Sequence, residues 1–489
     1  MTPPSRTSSP APASPAFWFG FEVPWAKLVA ARVLVFGLLA LDALMQLRHA
    51  PRYGAGGFNV AQLRWLDDLG PVRSSFAIAQ LVNAYAFTLV MFGVATRIAL
   101  PIATALYAWL YFGSQLDSYQ HHYLVAMVLV AACFVPWQRP TDATATTRVA
   151  SWAVRLILVE LGVMYLWAAI SKLDPAWLDG RTLAGQFGGP MRKLIEATVG
   201  WSAASVIVVI TELALACTVW IKRTAWLAAP LGLALHLGIV VTGLEIGLFA
   251  WIMLALYALV IPDGVWLALA RIAAAAIRVL RLDRVAARVR SAPTGVLAWI
   301  AAAFACTGAL VCAGVCRFEF TLAVAIAATI AVVGGTLIAR ALGRSRAATA
   351  LIIAHAFALA AWLVVDRGST LAFDYYRFWG GTARRLGDVA TAERAYQIAT
   401  AEFPDEPSGH FQLGRLLLGR NDGDAGLAEL HAAQRLDRDH ARAFVAEARW
   451  LAAHGQRDAA LAKAREGWSA EPDDKDVNEL IGMLMAGRR

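Results

Sequence analysis

Residues 150–171 of the chain read ASWAVRLILVELGVMYLWAAIS, and this stretch decides the fold class. Its only charged residues are Arg155 and Glu160. An α-helix rises about 1.5 Å per residue, so about 20 residues cross a hydrocarbon layer of roughly 30 Å. Within lipid the backbone has to satisfy its own hydrogen bonds, and a helix does so. The stretch therefore predicts a transmembrane helix.

Similar apolar windows recur along the chain and predict about eleven spans. They lie at residues 28–47, 75–95, 98–115, 122–137, 150–171, 201–221, 225–244, 247–266, 294–315, 320–342 and 347–366. The predicted fold is therefore all-α, a polytopic transmembrane helical bundle.

Charged residues are distributed unevenly along the 489 residues. They make up 16% of the chain, below the roughly 25% of soluble domains. Residues 1–372 carry 28 basic and 16 acidic residues, whereas residues 373–489 carry 16 basic and 19 acidic ones. A charge-poor basic body and a charge-rich tail exclude a single soluble globule. Because the arginine excess lies mostly in loops between apolar windows, it does not indicate nucleic-acid binding.

The loops also predict an orientation and domain boundaries. Residues 1–17 are rich in Pro, Ser and Ala, which predicts a disordered N-terminal tail. If this N-terminal tail is cytoplasmic, most of the loops rich in Lys and Arg are cytoplasmic too, as the positive-inside rule requires.

We expect residues 18–266 to form the first transmembrane domain and residues 294–372 to form three additional transmembrane helices. Residues 267–293 form a basic amphipathic cytoplasmic segment, either an interfacial helix or a solvated loop. An odd number of spans then places the C-terminal residues 373–489 outside the cytoplasm. The Ala- and Arg-rich composition indicates a bacterial protein, and the membrane would be the inner one.

The tail, residues 373–489, contains a 34-residue repeat. Equivalent positions hold Pro404, Arg438 and Pro472; Ala392, Gly426 and Ala460; Tyr396, Leu430 and Ala464; and Gly387, Asn421 and Gly455. This period, together with the pair Leu413-Gly414, resembles the tetratricopeptide (TPR) repeat. The resemblance implies a TPR-like α-helical repeat domain that binds a peptide or protein partner. A structural spacer is the alternative.

Ionisable side chains inside apolar windows are costly unless they are paired or hydrated. They are Asp42, Arg155, Glu160, Lys172, Glu212, His236 and His355. Residues 117–124 (DSYQHHYL) and residues 165–180 (YLWAAISKLDPAWLDG) add further polar groups at the ends of two windows. From composition alone, Lys172 is either a functional amine or a snorkelling anchor. The other charges either pair across the bundle or serve a function.

The second of these segments resembles the signature of the HTTM (horizontally transferred transmembrane) superfamily, which includes the vitamin K-dependent γ-glutamyl carboxylases. The residues that carry the resemblance are Tyr165, Ser171-Lys172-Leu173-Asp174, Trp177 and Gly180. His121-His122-Tyr123-Leu124 is similar to a preceding carboxylase segment, and His236 with Ile246-Gly247-Leu248-Phe249 is similar to a later one. The resemblance covers roughly residues 20–265.

The resemblance implies a quinol-dependent carboxylase- or epoxidase-like enzyme acting on extracytoplasmic glutamyl groups. Lys172 would take a proton from a reduced quinone of the vitamin K or menaquinol type, because burial disfavours an ammonium. His121 would orient the substrate carboxylate, and His236 would line the same cavity. Supporting roles fall to His122, Tyr123, Tyr165, Asp174 and Trp177, and no metal is required.

Two other classes of function remain open from the sequence. In a non-catalytic membrane scaffold, the TPR-like tail would recruit a protein partner and the buried charges would hold the bundle together. Transporters also carry intramembrane charges, although no inverted pair of interrupted helices is evident. Convergence of His121, Lys172 and His236 on one cavity would favour the enzyme, whereas a Lys172 side chain among lipid headgroups would favour the scaffold.

Overall fold

The computed structural model describes residues 17–54, 60–93, 95–116, 120–138, 144–187, 189–241, 248–279, 371–437, 440–472 and 474–486. Of these described residues, 80% are helical. The three predicted spans within residues 294–372 lie outside the described residues, as do residues 280–293 of the basic segment and residues 1–16 of the N-terminal tail.

The body is built almost entirely from helices. Its α-helices are α1 (Trp25–Met45), α2 (Arg73–Met91), α3 (Thr96–Phe112), α4 (Gln120–Ala132), α5 (Trp152–Ser171), α6 (Pro175–Leu178), α7 (Arg181–Ala184), α8 (Gly189–Thr198), α9 (Trp201–Thr218), α10 (Ala225–Val241), α11 (Phe249–Leu256) and α12 (Asp263–Val279). Short 3₁₀ helices cover Gln46–Gly54, Arg64–Leu69, Lys222–Thr224 and Tyr257–Leu259, and the strands are β1 (Glu22–Pro24) and β2 (Arg148–Ala150).

Among the described residues, five helices are long and apolar enough to cross a membrane. They are Trp25–Tyr53, Arg73–Met91, Trp152–Ser171, Trp201–Thr218 and Lys222–Val241. Phe249–Leu259 and Asp263–Val279, bent by 96°, would make a sixth if they form one broken span. The prediction of about eleven transmembrane spans is not confirmed, because an apolar window need not form one straight helix. The window at 122–137 contains a helix of only 13 residues, which spans about 20 Å.

The body helices close into a ring. Each helix in the series α1, α2, α3, α4, α5, α9, α10 and α11 packs against the next one, and α11 packs against α1. On α5, Val154, Ile157 and Leu161 recur every three or four residues and are at most 1% exposed. On its other face Trp167 is 65% exposed. Because both faces are apolar, α5 suits a position between a protein core and lipid.

A two-stranded ribbon marks one end of the ring, here called the ribbon end. β1 and β2 are antiparallel, with Val23 opposite Val149. Helices α1 and α5 follow these strands and therefore start at the same end. Nearby, the Lys27 amine lies 2.7 Å from one oxygen of Asp263, and Arg148 lies 2.5 Å from the other. These ion pairs hold the first residue of α12 at the ribbon end, where the chain bends away from α11.

The tail contains paired helices with a constant period. They are α13 (Leu371–Arg385), α14 (Val389–Glu402), α15 (Pro407–Gly419), α16 (Gly423–Leu436), α17 (Ala441–Ala453), α18 (Arg457–Ala470) and α19 (Lys475–Ala486). The pairs α13–α14, α15–α16 and α17–α18 pack together, and α19 covers α18. The second helices start at residues 389, 423 and 457, so the period is 34 residues.

Equivalent residues form the turns and crossings of these pairs. Gly387, Asn421 and Gly455 end the first helices with φ values of 78°, 63° and 77°, the left-handed conformation that terminates a helix. At one crossing, a Cβ on Gly414 would lie 2.9 Å from the carbonyl oxygen of Gly426. The small residues in the repeat therefore allow the two helices of a pair to approach closely.

Helix α13 attaches the tail to the end of the ring opposite the ribbon, here called the repeat end. It packs on the 3₁₀ helix Gln46–Gly54 that follows α1. Arg48 lies 3.0 Å from Asp374 of α13, and the guanidinium of Arg73 lies 5.7 Å from the Trp379 ring. Since α5 runs from the ribbon end to the repeat end, Lys172 lies at the same end of the ring as the tail.

Candidate functional site

Lys172 follows α5, and its amine is paired with a carboxylate from the neighbouring helix α9. The Lys172 Nζ atom lies 2.8 Å from Oε1 and 3.0 Å from Oε2 of Glu212, and it also donates to the carbonyl oxygen of Ala168 at 3.2 Å. Glu212 is only 7% exposed. Desolvation makes a buried charge costly, so each group depends on its partner. The Lys172 amine is thus turned into the bundle.

The short helix after Lys172 places an aromatic ring beside the amine. The Asp174 carboxylate caps α6 by accepting hydrogen bonds from the backbone N–H groups of Ala176 at 2.8 Å and Trp177 at 3.1 Å. The Trp177 ring centroid is then 5.3 Å from the Lys172 Nζ atom, within the range of a cation–π contact. Asp174 and Trp177 therefore shape the surroundings of the amine.

A second polar cluster joins three helical segments in the core. Tyr165 on α5 lies 2.6 Å from His236 Nε2 on α10, and the Tyr257 hydroxyl donates to the Tyr165 hydroxyl at 2.9 Å. All three side chains are at most 4% exposed. A Cβ on Gly232 would lie 1.7 Å from the Tyr257 hydroxyl. Glycine at this position is what allows Tyr257 to reach the cluster.

The three groups form one chain of hydrogen bonds, from Tyr257 through Tyr165 to His236 Nε2. His236 Nε2 accepts the Tyr165 proton in the tautomer that is protonated at Nδ1. His236 Nδ1 is buried without a hydrogen-bond partner in the described part of the chain. Tyr165 precedes Lys172 by seven residues, about two turns of α5. The Tyr165–His236–Tyr257 cluster and the Lys172–Glu212 pair therefore lie on the same side of this helix, roughly 10 Å apart along its axis.

The histidine pair of α4 lies in a different environment. The His121 ring packs 5.0 Å from Phe249 and 4.3 Å from His122. His122 Nδ1 is 2.8 Å from the Tyr107 hydroxyl, and both side chains line a polar cavity of about 40 Å³ that also contains Asp42. This volume holds about three water molecules.

The structure thus distributes the predicted residues over three clusters. Lys172, Asp174 and Trp177 form the first, Tyr165 and His236 belong to the second, and His121 and His122 to the third, while Tyr123 is 46% exposed. The sequence identified Glu212 and Asp42 only as charges in apolar windows, and it did not single out Tyr107 or Tyr257. A hydroxyl in an apolar run gives no periodic signal that separates a packing role from a polar one.

Two buried nitrogen atoms have no hydrogen-bond partner within the described residues: Trp177 Nε1, whose ring lies beside the Lys172 amine, and His236 Nδ1. A nitrogen that carries a proton could donate a hydrogen bond to an oxygen atom of a cofactor. In the described ranges, no group of three or more His, Cys, Asp or Glu side chains could hold a metal ion.

A known family model matches the body of the chain. Residues 22–264 match the family described as the HTTM domain. The match begins at β1 and ends within α12, so it covers the whole helical ring. It confirms the HTTM resemblance seen around Lys172. No curated protein matches the chain.

Proposed function

We propose that the chain is a membrane-embedded HTTM-family protein that acts as a quinol-dependent, carboxylase- or epoxidase-like enzyme on extracytoplasmic glutamyl groups. The observation that carries the proposal is that the Lys172–Glu212 ion pair and the buried Tyr165–His236 hydrogen bond lie about two turns apart along the same helix, α5. These four groups are mostly buried and can hold and transfer protons. Apolar residues of similar size would often serve a purely structural bundle equally well.

The proton chemistry starts at the ion pair. Lys172 Nζ passes its extra proton to the Glu212 carboxylate, 2.8 Å away, and becomes a free amine. That amine can then remove a proton from an acidic hydroxyl bound beside it. A reduced quinone of the vitamin K or menaquinol type would supply this hydroxyl together with the electrons for oxygen chemistry. Trp177 Nε1 and His236 Nδ1 would donate hydrogen bonds to its oxygens.

The peptide side of the reaction is assigned to the repeat end. His121 and His122 would orient a glutamyl carboxylate there, since an imidazole donor stabilises negative charge. The helix pairs of the tail, which we propose to be TPR-like, dock at the same end and would gather the peptide or protein that carries the glutamyl group. In this proposal the ribbon end faces the cytoplasm of a bacterial cell, and the tail lies outside the inner membrane.

Oxygen uptake by the purified full-length protein in lipid nanodiscs tests the proposal. We expect uptake to depend on added menaquinol and to fall to background in Lys172→Ala. Lys193→Ala removes an exposed lysine and should retain the wild-type rate. Labelled bicarbonate should enter a glutamate-containing peptide in the same preparations. Uptake that is equal in Lys172→Ala and wild type would remove Lys172 from the mechanism.

The alternative is a non-catalytic scaffold whose tail recruits a protein partner. The Lys172–Glu212 pair also favours this reading, because it bridges α5 and α9 and would hold the ring together. A wild-type protein that binds a partner but consumes no oxygen with menaquinol would support the scaffold.

A further inference from the structure

The first helices of the three tail pairs carry an excess of positive charge. Helices α13, α15 and α17 contain six arginines and two acidic residues, although the tail as a whole has more acids than bases. Both acids are already engaged within the described structure. Asp374 pairs with Arg48 and Arg377, and Glu447 accepts hydrogen bonds from side chains of α16. The positive charge of these helices is therefore largely uncompensated.

Four of the arginines form one surface, here called the basic face: Arg384, Arg415, Arg442 and Arg449. Helix α15 packs between α13 and α17, which places Arg415 between the others. Arg442 and Arg449 are seven residues apart and so lie on the same side of α17. All four side chains are exposed.

The four charges also act on one another. Partial burial of Arg415, followed by repulsion from Arg384, Arg449 and Arg442, lowers the pKa of its guanidinium. No carboxylate in the described ranges forms an ion pair with any of the four. The Arg415 guanidinium instead lies 5.3 Å from the Phe411 ring centroid. Arginines held together without acids are arranged to meet anionic groups of a partner.

The two longest segments outside the described residues are themselves basic. Residues 280–370 contain nine arginines and three acidic residues, and residues 1–16 contain one arginine and no acid. Since like charges repel, neither segment suits the basic face. The complementary acidic groups are therefore expected from another molecule.

We propose that the basic face binds an acidic peptide segment of another protein through its glutamate and aspartate carboxylates. Guanidinium groups bind carboxylates through two parallel hydrogen bonds, so arginine suits this partner better than lysine does. The proposal deepens the proposed function, on which it rests for the role of the tail as a peptide-binding surface. It adds that the peptide is negatively charged and that the arginines of the basic face bind it.

The test measures binding of a fluorescein-labelled oligoglutamate peptide to the full-length protein in detergent by fluorescence anisotropy. The basic-face variant replaces Arg415, Arg442 and Arg449 with Gln. The control variant replaces Arg394, Arg435 and Arg465 with Gln; these are exposed arginines of the second helices, so the net charge changes equally. Far-ultraviolet circular dichroism verifies that both variants stay helical.

We expect the basic-face variant to bind the peptide about tenfold more weakly or worse. It loses three exposed ion pairs, and each pair contributes roughly a two- to fivefold change in affinity. The control variant should bind within about twofold of wild type, and salt should weaken wild-type binding. Equal losses in both variants would show a non-specific charge effect and overturn the proposal. The proposal would also be overturned if phosphatidylglycerol vesicles or single-stranded RNA displaced the labelled peptide at lower concentrations than the unlabelled peptide does. Lys172→Ala should bind the peptide normally, so a failure of the quinol chemistry is distinguishable from a failure of the basic face.

Discussion

Removing one member of the Lys172–Glu212 pair should cost more stability than removing both. Glu212 keeps only 9% of its side chain exposed, whereas Lys172 keeps 21%. In Lys172→Met the carboxylate is left buried and unpaired, which typically costs about 3–5 kcal/mol. In Glu212→Leu the ammonium keeps the Ala168 carbonyl and the Trp177 ring as partners, so we expect a smaller loss of about 1–2 kcal/mol. The double variant Lys172→Met/Glu212→Leu buries no charge and should lie within about 1 kcal/mol of wild type.

Thermal unfolding in detergent, followed by circular dichroism, measures this cycle. For a body of this size about 1 kcal/mol corresponds to roughly 2–4 °C, so the loss of about 3–5 kcal/mol in Lys172→Met should lower the Tm by about 6–20 °C. The double variant should recover most of that loss, and the non-additivity measures the coupling between the two side chains. If the single losses simply add in the double variant, the two charges do not depend on each other, and the interpretation of the site as a coupled pair is wrong.

Two further predictions concern other parts of the molecule. Gly232→Ala should displace the Tyr257 hydroxyl and lower stability by about 1–3 kcal/mol, whereas Gly238→Ala, which meets no atom within 4 Å, should change thermal unfolding little. Burial lowers the pKa of His440 in the tail, so the unfolded chain binds its proton more readily. Stability of the tail should therefore fall as pH drops below about 6.5, and His440→Gln should reduce this decline in denaturant titrations; an identical pH profile in the variant would contradict the assignment.

Local sequence patterns were sufficient to predict several features of the fold. The apolar window at residues 150–171 corresponds to helix α5. The 34-residue period corresponds to three helix pairs with left-handed turns at Gly387, Asn421 and Gly455. The Lys172 segment also predicted the resemblance to the HTTM domain, whose family model matches residues 22–264. These features depend on hydrophobic periodicity, turn stereochemistry or a short motif, all of which are encoded within a few tens of residues.

The tertiary structure decided which side chains meet. Glu212 is 40 residues from Lys172, Tyr257 is 92 from Tyr165, and Asp374 of the tail is 326 from Arg48. A charge in an apolar window indicates that a partner is needed but does not say which neighbouring helix provides it. Closure of the ring brings α9 against α5 and α10 against α11, and the docking of α13 places the tail at the end that holds Lys172. Such contacts depend on the packing order of whole helices, and that order is set by side-chain complementarity across the bundle rather than by any single stretch of sequence.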